Sequence, residues 1–259
     1  MKTAVQLSDL TKFYGDFKAV NGLDLTVHKG ELFGFLGPNG AGKTTTIKMM
    51  TGLLEPTSGM VQICGIDLWQ QPLRAKAKLA YVPDEPYLFP KLTGWELLRF
   101  VASVYRVPSS VFHSRAEELL DLFNLTNRAG ELIESYSYGM KKKIALCAAL
   151  VHKPEVLFLD EPTVGLDPGS ARSLKMILRR VCEEGAAVFM STHILEIAEQ
   201  MCDRVGIIQE GNLIALGTMD ALRSQHQGAS LEDIFLQLTG GEEAAKIIAS
   251  LSEEGNEAK

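Results

Sequence analysis

The string Gly37-Pro38-Asn39-Gly40-Ala41-Gly42-Lys43-Thr44 constrains this chain more than any other feature. It fits G-x-x-x-x-G-K-[ST], and it stands between an apolar strand-like run, Glu31 to Leu36, and a segment from Thr44 to Leu54 that reads as helix. Glu55-Pro56-Thr57-Ser58-Gly59 breaks that helix. Glycines let the backbone wrap closely round phosphate oxygens, and successive N–H groups then point inward as donors. A helix beginning at Thr44 adds the positive end of its dipole. Lys43 supplies a mobile positive charge for terminal phosphates, and the Thr44 hydroxyl suits a Mg²⁺ ligand. The bland alternative is a glycine turn with no ligand.

A second feature lies downstream. Val156 to Leu159 is a short apolar run that ends in Asp160 and Glu161. A buried strand ending in adjacent acids delivers charge to the carboxyl edge of a parallel sheet, where ligands bind. Asp160 is placed to hold Mg²⁺ through water, and Glu161 to polarise an attacking water. Alone, an acidic pair at a strand end is more often a cap or a solvated turn.

Around these motifs the chain divides by periodicity. Lys2 to Leu10 and Phe17 to Val27 are alternating strand segments, with Asn21-Gly22 as the turn signal. Residues from about 90 to 152 read as a mostly helical insert. Thr93-Gly94-Trp95-Glu96 is a capping-box pattern opening one helix, and Ser114-Arg115-Ala116-Glu117 repeats the device. Strand-helix alternation then returns: Asp167 caps a helix with Pro168 in its first turn and Gly185 at its end, Ala186 to Ser191 is a strand, and Ile194 to Cys202 a helix. Such alternation predicts a parallel sheet covered on both faces. From Gly217 onward the chain reads as helical and increasingly acidic.

With these motifs in order, the sequence resembles the nucleotide-binding domains of ABC ATPases over nearly its whole length. Ser135-Tyr136-Ser137-Tyr138-Gly139-Met140 stands where those proteins carry an LSGGQ-like signature. Gly165-Leu166-Asp167-Pro168 looks like the D-loop, Ser191-Thr192-His193 like the switch histidine, and Phe13-Tyr14-Gly15 like the aromatic loop. The resemblance implies an α/β P-loop NTPase: a RecA-like core with an N-terminal antiparallel β subdomain and an inserted α-helical signature subdomain. It divides the chain into a nucleotide-binding domain over 1–217 and a short helical tail over 218–259. It implies ATP and Mg²⁺ as ligands, with ATP held by Tyr14, the loop Gly37 to Thr44, Thr45, Ser137 and Gly139. Thr44, Asp84 and Asp160 would hold the metal, and Glu161 and His193 would be catalytic. Two such domains would close head to tail on two ATP molecules, with Asp167 communicating across the dimer. Tyr14 as a core aromatic and His193 as a capping or core histidine are the alternatives. Lys141-Lys142-Lys143 reads as a solvated helix face.

Two positions depart from the family pattern. Asp84, in Tyr81-Val82-Pro83-Asp84-Glu85-Pro86, stands where glutamine is usual, and Tyr138 replaces a common glycine in the signature. A carboxylate can still coordinate Mg²⁺ but adds negative charge beside a triphosphate. The Tyr138 ring either crowds the facing phosphate or points outward.

Composition bears on the partners. Lys and Arg number 26 against 32 Asp and Glu, a formal charge of −6, so a general nucleic-acid binder is not expected. The longest apolar run, Ile144 to Val151, has eight residues, whereas a membrane span needs about 20. The four cysteines lie far apart and read as reduced thiols of a cytoplasmic protein. The partners that the resemblance implies are a transmembrane permease on a separate chain, with Tyr87, Leu88 and Phe89 as an apolar docking edge, and a second nucleotide-binding domain, most simply another copy. That permease would hold the protein peripherally on the cytoplasmic face of the membrane. Leu231-Glu232-Asp233-Ile234-Phe235-Leu236 resembles the tail of the bacterial branch that drives export through an ABC-2-like permease. A soluble ATPase acting on a ribosome or nucleic-acid complex, and a nucleotide-gated module with negligible turnover, are the alternatives.

Overall fold

In the computed structural model, which describes residues 2–226 and 228–240, the apolar run before the glycine loop is a strand buried at every position, β3 (Leu32–Leu36). Before it, β1 (Thr3–Tyr14) and β2 (Phe17–His28) pair antiparallel. Their hairpin turn is Gly15-Asp16, with Gly15 at φ 58°, and not Asn21-Gly22. Asn21-Gly22 instead forms a bulge inside β2: the pairing steps from Leu10↔Leu23 to Lys12↔Val20, and Gly22 takes φ 56° to absorb the extra residue. Turn chemistry there serves a kink within the strand. After the loop come α1 (Lys43–Met50), β4 (Ser58–Ile63), β5 (Ile66–Asp67), α2 (Pro72–Lys76) and β6 (Leu79–Val82). The first sheet runs β2-β1-β4-β5.

The helical segment follows. Thr93 and Glu96 form a reciprocal capping box on α3 (Gly94–Val104), as the pattern predicts. The second expected helix start is displaced. α4 (Ser109–Leu122) begins after Pro108, which fixes φ at −58°, and Ser114 lies inside it, bonding back to the Val111 carbonyl at 3.3 Å. α5 (Tyr138–Leu150) completes this segment.

The chain then re-enters the sheet with β7 (Val156–Asp160), α6 (Pro168–Glu183), β8 (Ala187–Thr192) and α7 (Leu195–Met201). Two further strands, β9 (Arg204–Gln209) and β10 (Asn212–Thr218), precede α8 (Met219–Gln225) and α9 (Leu231–Thr239). The second sheet runs β10-β9-β3-β8-β7-β6; β9, β3, β8, β7 and β6 are parallel and β10 is antiparallel on the edge. The helical reading after Gly217 covers α8 and α9, and residues 241–259 lie outside the described residues.

Strand alternation sorts this sheet's side chains into two cores. Phe33, Phe35, Phe158 and Phe189 project towards α1 and the first sheet, with ring centroids 5.3–5.7 Å from Phe189. Leu32, Leu36, Leu157, Leu159, Val188 and Met190 project towards the helices. Each fully buried Leu or Phe contributes roughly 1.5–3 kcal/mol. Both faces of the sheet are therefore fixed, and with them the positions of the strand ends. β8 lies between β3 and β7, so the glycine loop, Thr192 and the Asp160-Glu161 pair emerge side by side at one carboxyl edge.

Candidate functional site

The loop between β3 and α1 can be followed atom by atom. A β-carbon at Gly37 would lie 2.4 Å from the Ile208 carbonyl oxygen, and one at Gly42 would lie 2.6 Å from that of Ala19. Gly42 also takes φ 107°, so both positions require glycine. Gly42 caps α1 without a side chain, leaving the first amides of that helix to face the loop. Lys43 is buried, and its Nζ donates to the Gly37 carbonyl at 2.6 Å and the Pro38 carbonyl at 3.1 Å. Burial pulls its pKa below the ordinary lysine value, while Glu161 and Asp160 pull it back.

Asp160, the last residue of β7, is buried and doubly held: it accepts from Ser191 Oγ and, at 3.1 Å, from Thr44 Oγ1. The hydroxyl of the loop and the carboxylate of the strand end thus converge. These are hard oxygen donors. Among the described residues no cluster of three or more His, Cys, Asp or Glu forms a closed metal cage. A hydroxyl and one carboxylate match Mg²⁺, which keeps several waters and shares phosphate oxygens.

Glu161 departs from the strand with φ 46°, a left-handed conformation that costs a non-glycine residue on the order of 1–3 kcal/mol. Its Oε1 lies 3.0 Å from His193 Nδ1, and its Oε2 is buried without a partner. A strained backbone and an unsatisfied buried carboxylate oxygen on one residue mark it as poised for a group that is not part of the protein.

Lys43, Thr44, Asp160 and Glu161 line one cleft of about 310 Å³, whereas Gly37, Pro38, Ala41 and His193 are not among its lining residues. Asn39, Gly40 and Gly42 to Thr45 line it together with Tyr14, Phe17 and Ala19 and with Asp84, Asp160 and Glu161. Tyr14 is 48% exposed rather than a core aromatic, and Phe17, which the sequence did not single out, stands 65% exposed beside it. The signal was available: two aromatics flank a two-residue hairpin turn, where neither can enter a core. A larger recess of about 750 Å³ between α4 and α6 holds none of the candidate residues.

The remaining candidates stand apart. Ser137 and Gly139 are not among the residues that line the cleft. Ser137 is exposed at the N-cap of α5, accepting from the Met140 amide at 3.3 Å. Asp167 caps α6, accepting from the Ser170 amide at 2.9 Å and Ser170 Oγ at 2.6 Å; these bonds, the hydroxyl's first, hold its pKa below the usual value. Tyr138 is exposed and is not among the residues that line the cleft. Its ring lies along Gly165, where a β-carbon would come within 2.5 Å, and its hydroxyl donates to the Asp84 carbonyl at 3.3 Å.

Lys142 overturns the reading of Lys141-Lys142-Lys143 as a solvated face. Its side chain is 3% exposed, and Nζ reaches Asp84 Oδ1 at 3.2 Å and the carbonyls of Glu161 and Val164 at 2.9 and 2.8 Å. A run of three lysines masks the helical phase: Lys142 is four residues before Leu146 and shares its buried face.

Comparison with known proteins accords with this geometry. Residues 20–164 match the family model described as ABC transporter. The linearmycin resistance ATP-binding protein LnrL of Bacillus subtilis is 42% identical over 235 residues, covering 91% of this chain and 74% of that protein. A solved ATP-binding subunit of an ABC transporter superposes with a TM-score of 0.88 at 35% identity, covering 91% of this chain and 99% of the other. A dimeric ATP-binding cassette in a post-hydrolysis state, bound to ADP and Pi, superposes with a TM-score of 0.76 at 25% identity, covering 83% of this chain and 98% of the other. Loop, strand-end acids and matches agree, and the chain belongs to the ABC transporter family as one of its ATP-binding, ATP-hydrolysing proteins.

Proposed function

We propose that this chain is the motor of an exporter: two nucleotide-binding domains close head to tail on ATP, hydrolyse it, and drive a permease carried on a separate polypeptide. The observation that carries this reading is the separation of Ser137 and Gly139 from the cleft. An exposed helix N-terminus presents N–H donors and a positive dipole end with no phosphate of its own chain to meet. A second copy, turned head to tail, supplies that phosphate. The dimeric cassette bound to ADP and Pi supports this arrangement, and the resistance function named for LnrL supports export.

In this scheme the Tyr14 ring stacks on the base while the 37–45 loop and Lys43 bind the phosphates. Thr44 and Asp160 would hold Mg²⁺, with Asp84 as a further oxygen donor lining the same cleft; when bound, the metal neutralises charge building on the transferred phosphoryl group. Glu161 takes the proton of the water that attacks the terminal phosphorus, and the bond to the bridging oxygen breaks as ADP leaves. His193, touching Glu161, reports whether the terminal phosphate is present, and Asp167 carries that state across the dimer. Residues 1–217 form the motor domain, and those from 218 onward a tail.

No helix among the described residues is long and apolar enough to cross a membrane, so transport requires a partner that is. Tyr87, 93% exposed, and the edge-packed pair Phe89 and Phe100 form an apolar face suited to docking it at the cytoplasmic surface of the membrane; Leu88 packs inward. The test is purification of the tagged chain from detergent-solubilised membranes of its host. A polytopic membrane protein is the expected partner, and a ribosomal or DNA-repair complex in its place would refute the motor reading.

A further inference from the structure

The proposed hydrolysis gives Lys142 no task, yet it is among the few buried charges of the described residues. An ammonium has three protons, and Lys142 has three acceptors: Asp84 Oδ1, the Glu161 carbonyl and the Val164 carbonyl. Each belongs to a different functional stretch. Asp84 lies in the loop after β6, Glu161 starts the turn that leaves β7, and Val164 precedes the Gly165-Asp167 segment. Lys142 itself rides on α5, five residues after Ser137. Tyr138, one turn earlier, reinforces the junction: the Lys142 Nζ lies 5.2 Å from its ring centroid, its hydroxyl bonds the Asp84 backbone, and its ring occupies the space beside Gly165.

We propose that Lys142 is a positioning residue for hydrolysis, tying the signature helix to the backbone of Glu161 and to Asp84 within one subunit. The inference rests on the reading of Glu161 as the group that activates water. The Glu161 backbone is left-handed, and the Lys142 ammonium on its carbonyl is a contact that opposes relaxation to a commoner conformation. The Asp84 carboxylate is 46% exposed, so its attraction is screened; the two carbonyl bonds, made by a charged donor shielded from water, hold the junction. A displacement of α5, as on arrival of a partner's phosphate at Ser137, is then passed to the Glu161 backbone, which carries the carboxylate that acts on water.

The test uses the full chain with Lys142→Met, which keeps an unbranched side chain one atom shorter and removes its donors, and Lys141→Met as a control on the same helix. ATP affinity at equilibrium and KM stay within about twofold of wild type in Lys142→Met, while kcat falls roughly 10- to 100-fold, the loss expected for charge-assisted bonds. Lys142→Gln, which keeps a donor, recovers part of that rate, and it is read in place of Lys142→Met if the latter fails to fold. Wild-type kcat in both Lys142 variants, or an equal loss in Lys141→Met, overturns the proposal. Glu161→Gln is run alongside. Normal hydrolysis in that variant removes the base and the proposal with it, whereas an inactive Glu161→Gln beside a fully active Lys142→Met discards Lys142 alone.

Discussion

The cleft and the signature face carry equally short motifs, yet the fold treats them in opposite ways. In the cleft, Lys43 and Asp160 are buried, and each of their polar contacts is made within the chain, to Gly37, Pro38, Thr44 and Ser191. On the face, Ser137 is exposed at a helix start whose donors meet no acceptor from the cleft. The first region meets its partners within the chain, and in the proposed dimer the second meets its partner on another copy. The proposed motor would use this asymmetry: a half that keeps its geometry, and a half whose contacts are made and broken.

The variant expected to have the largest effect acts on the first of these halves. Glu161→Gln keeps the shape of the side chain but turns one acceptor oxygen into a donor amide and loses the base, and phosphate release falls by on the order of 10²- to 10⁴-fold. ATP binding survives, and an ATP-bound dimer accumulates on size exclusion; wild-type release would remove Glu161 from its role. A paired measurement then divides the two regions. Lys43→Ala weakens ATP binding to the single chain roughly 10- to 100-fold, by removing a charged donor. Ser137→Ala leaves that binding intact but reduces ATP-driven dimerisation about tenfold, at a cost of about 1 kcal/mol in helix capping. Equal losses of monomer binding in both variants would erase the distinction between cleft and face.

The smallest effect concerns how the signature helix is anchored. Just beyond α5, His152 stacks on Tyr105 at 3.6 Å, and its Nε2 donates to the Leu79 carbonyl at 3.3 Å, as a carbonyl partner requires. Burial, opposed by that bond, pushes its pKa down to about 4 from the ordinary 6.5. Between those values the unfolded chain binds a proton that the folded chain refuses. Stability is therefore present above about pH 6.5 and is lost as pH falls towards 4, by up to about 1 kcal/mol per pH unit after screening. Melting curves from pH 7 to 5 report this slope, and His152→Gln flattens it. An unchanged slope in that variant would place the acid sensitivity elsewhere.

The motifs that were legible are those whose chemistry is local. A glycine loop between strand and helix, acids at a strand end and a capping box such as Thr93 with Glu96 are each specified by neighbours within a few residues. The signals that misled depend on distant partners. Asn21-Gly22 reads as a hairpin turn, but the Asn21 amide bonds the Gly211 carbonyl and its side chain bonds Asn212, so the pair fits a bulge against a remote turn. Ser114 carries a capping pattern that Pro108 pre-empts. β9 and β10 escaped notice because Val205-Gly206-Ile207-Ile208 is too short a run to announce a strand without its place beside β3.

The sequence by itself determined the chemistry of this protein: a phosphate loop, a candidate metal-binding acid and a candidate base, in the order that marks an ATP-hydrolysing cassette. Those properties follow from side chains adjacent along the chain, where geometry is set by strand and helix alone. Only the tertiary structure decided that Lys142 is interior, that Tyr138 lies along Gly165, and that Asp84 is held to the signature helix. Each of these joins segments 19 to 58 residues apart. A lysine run looks the same in solvent or in a core, and only the packing of α5 onto the sheet removes one of its three members from water.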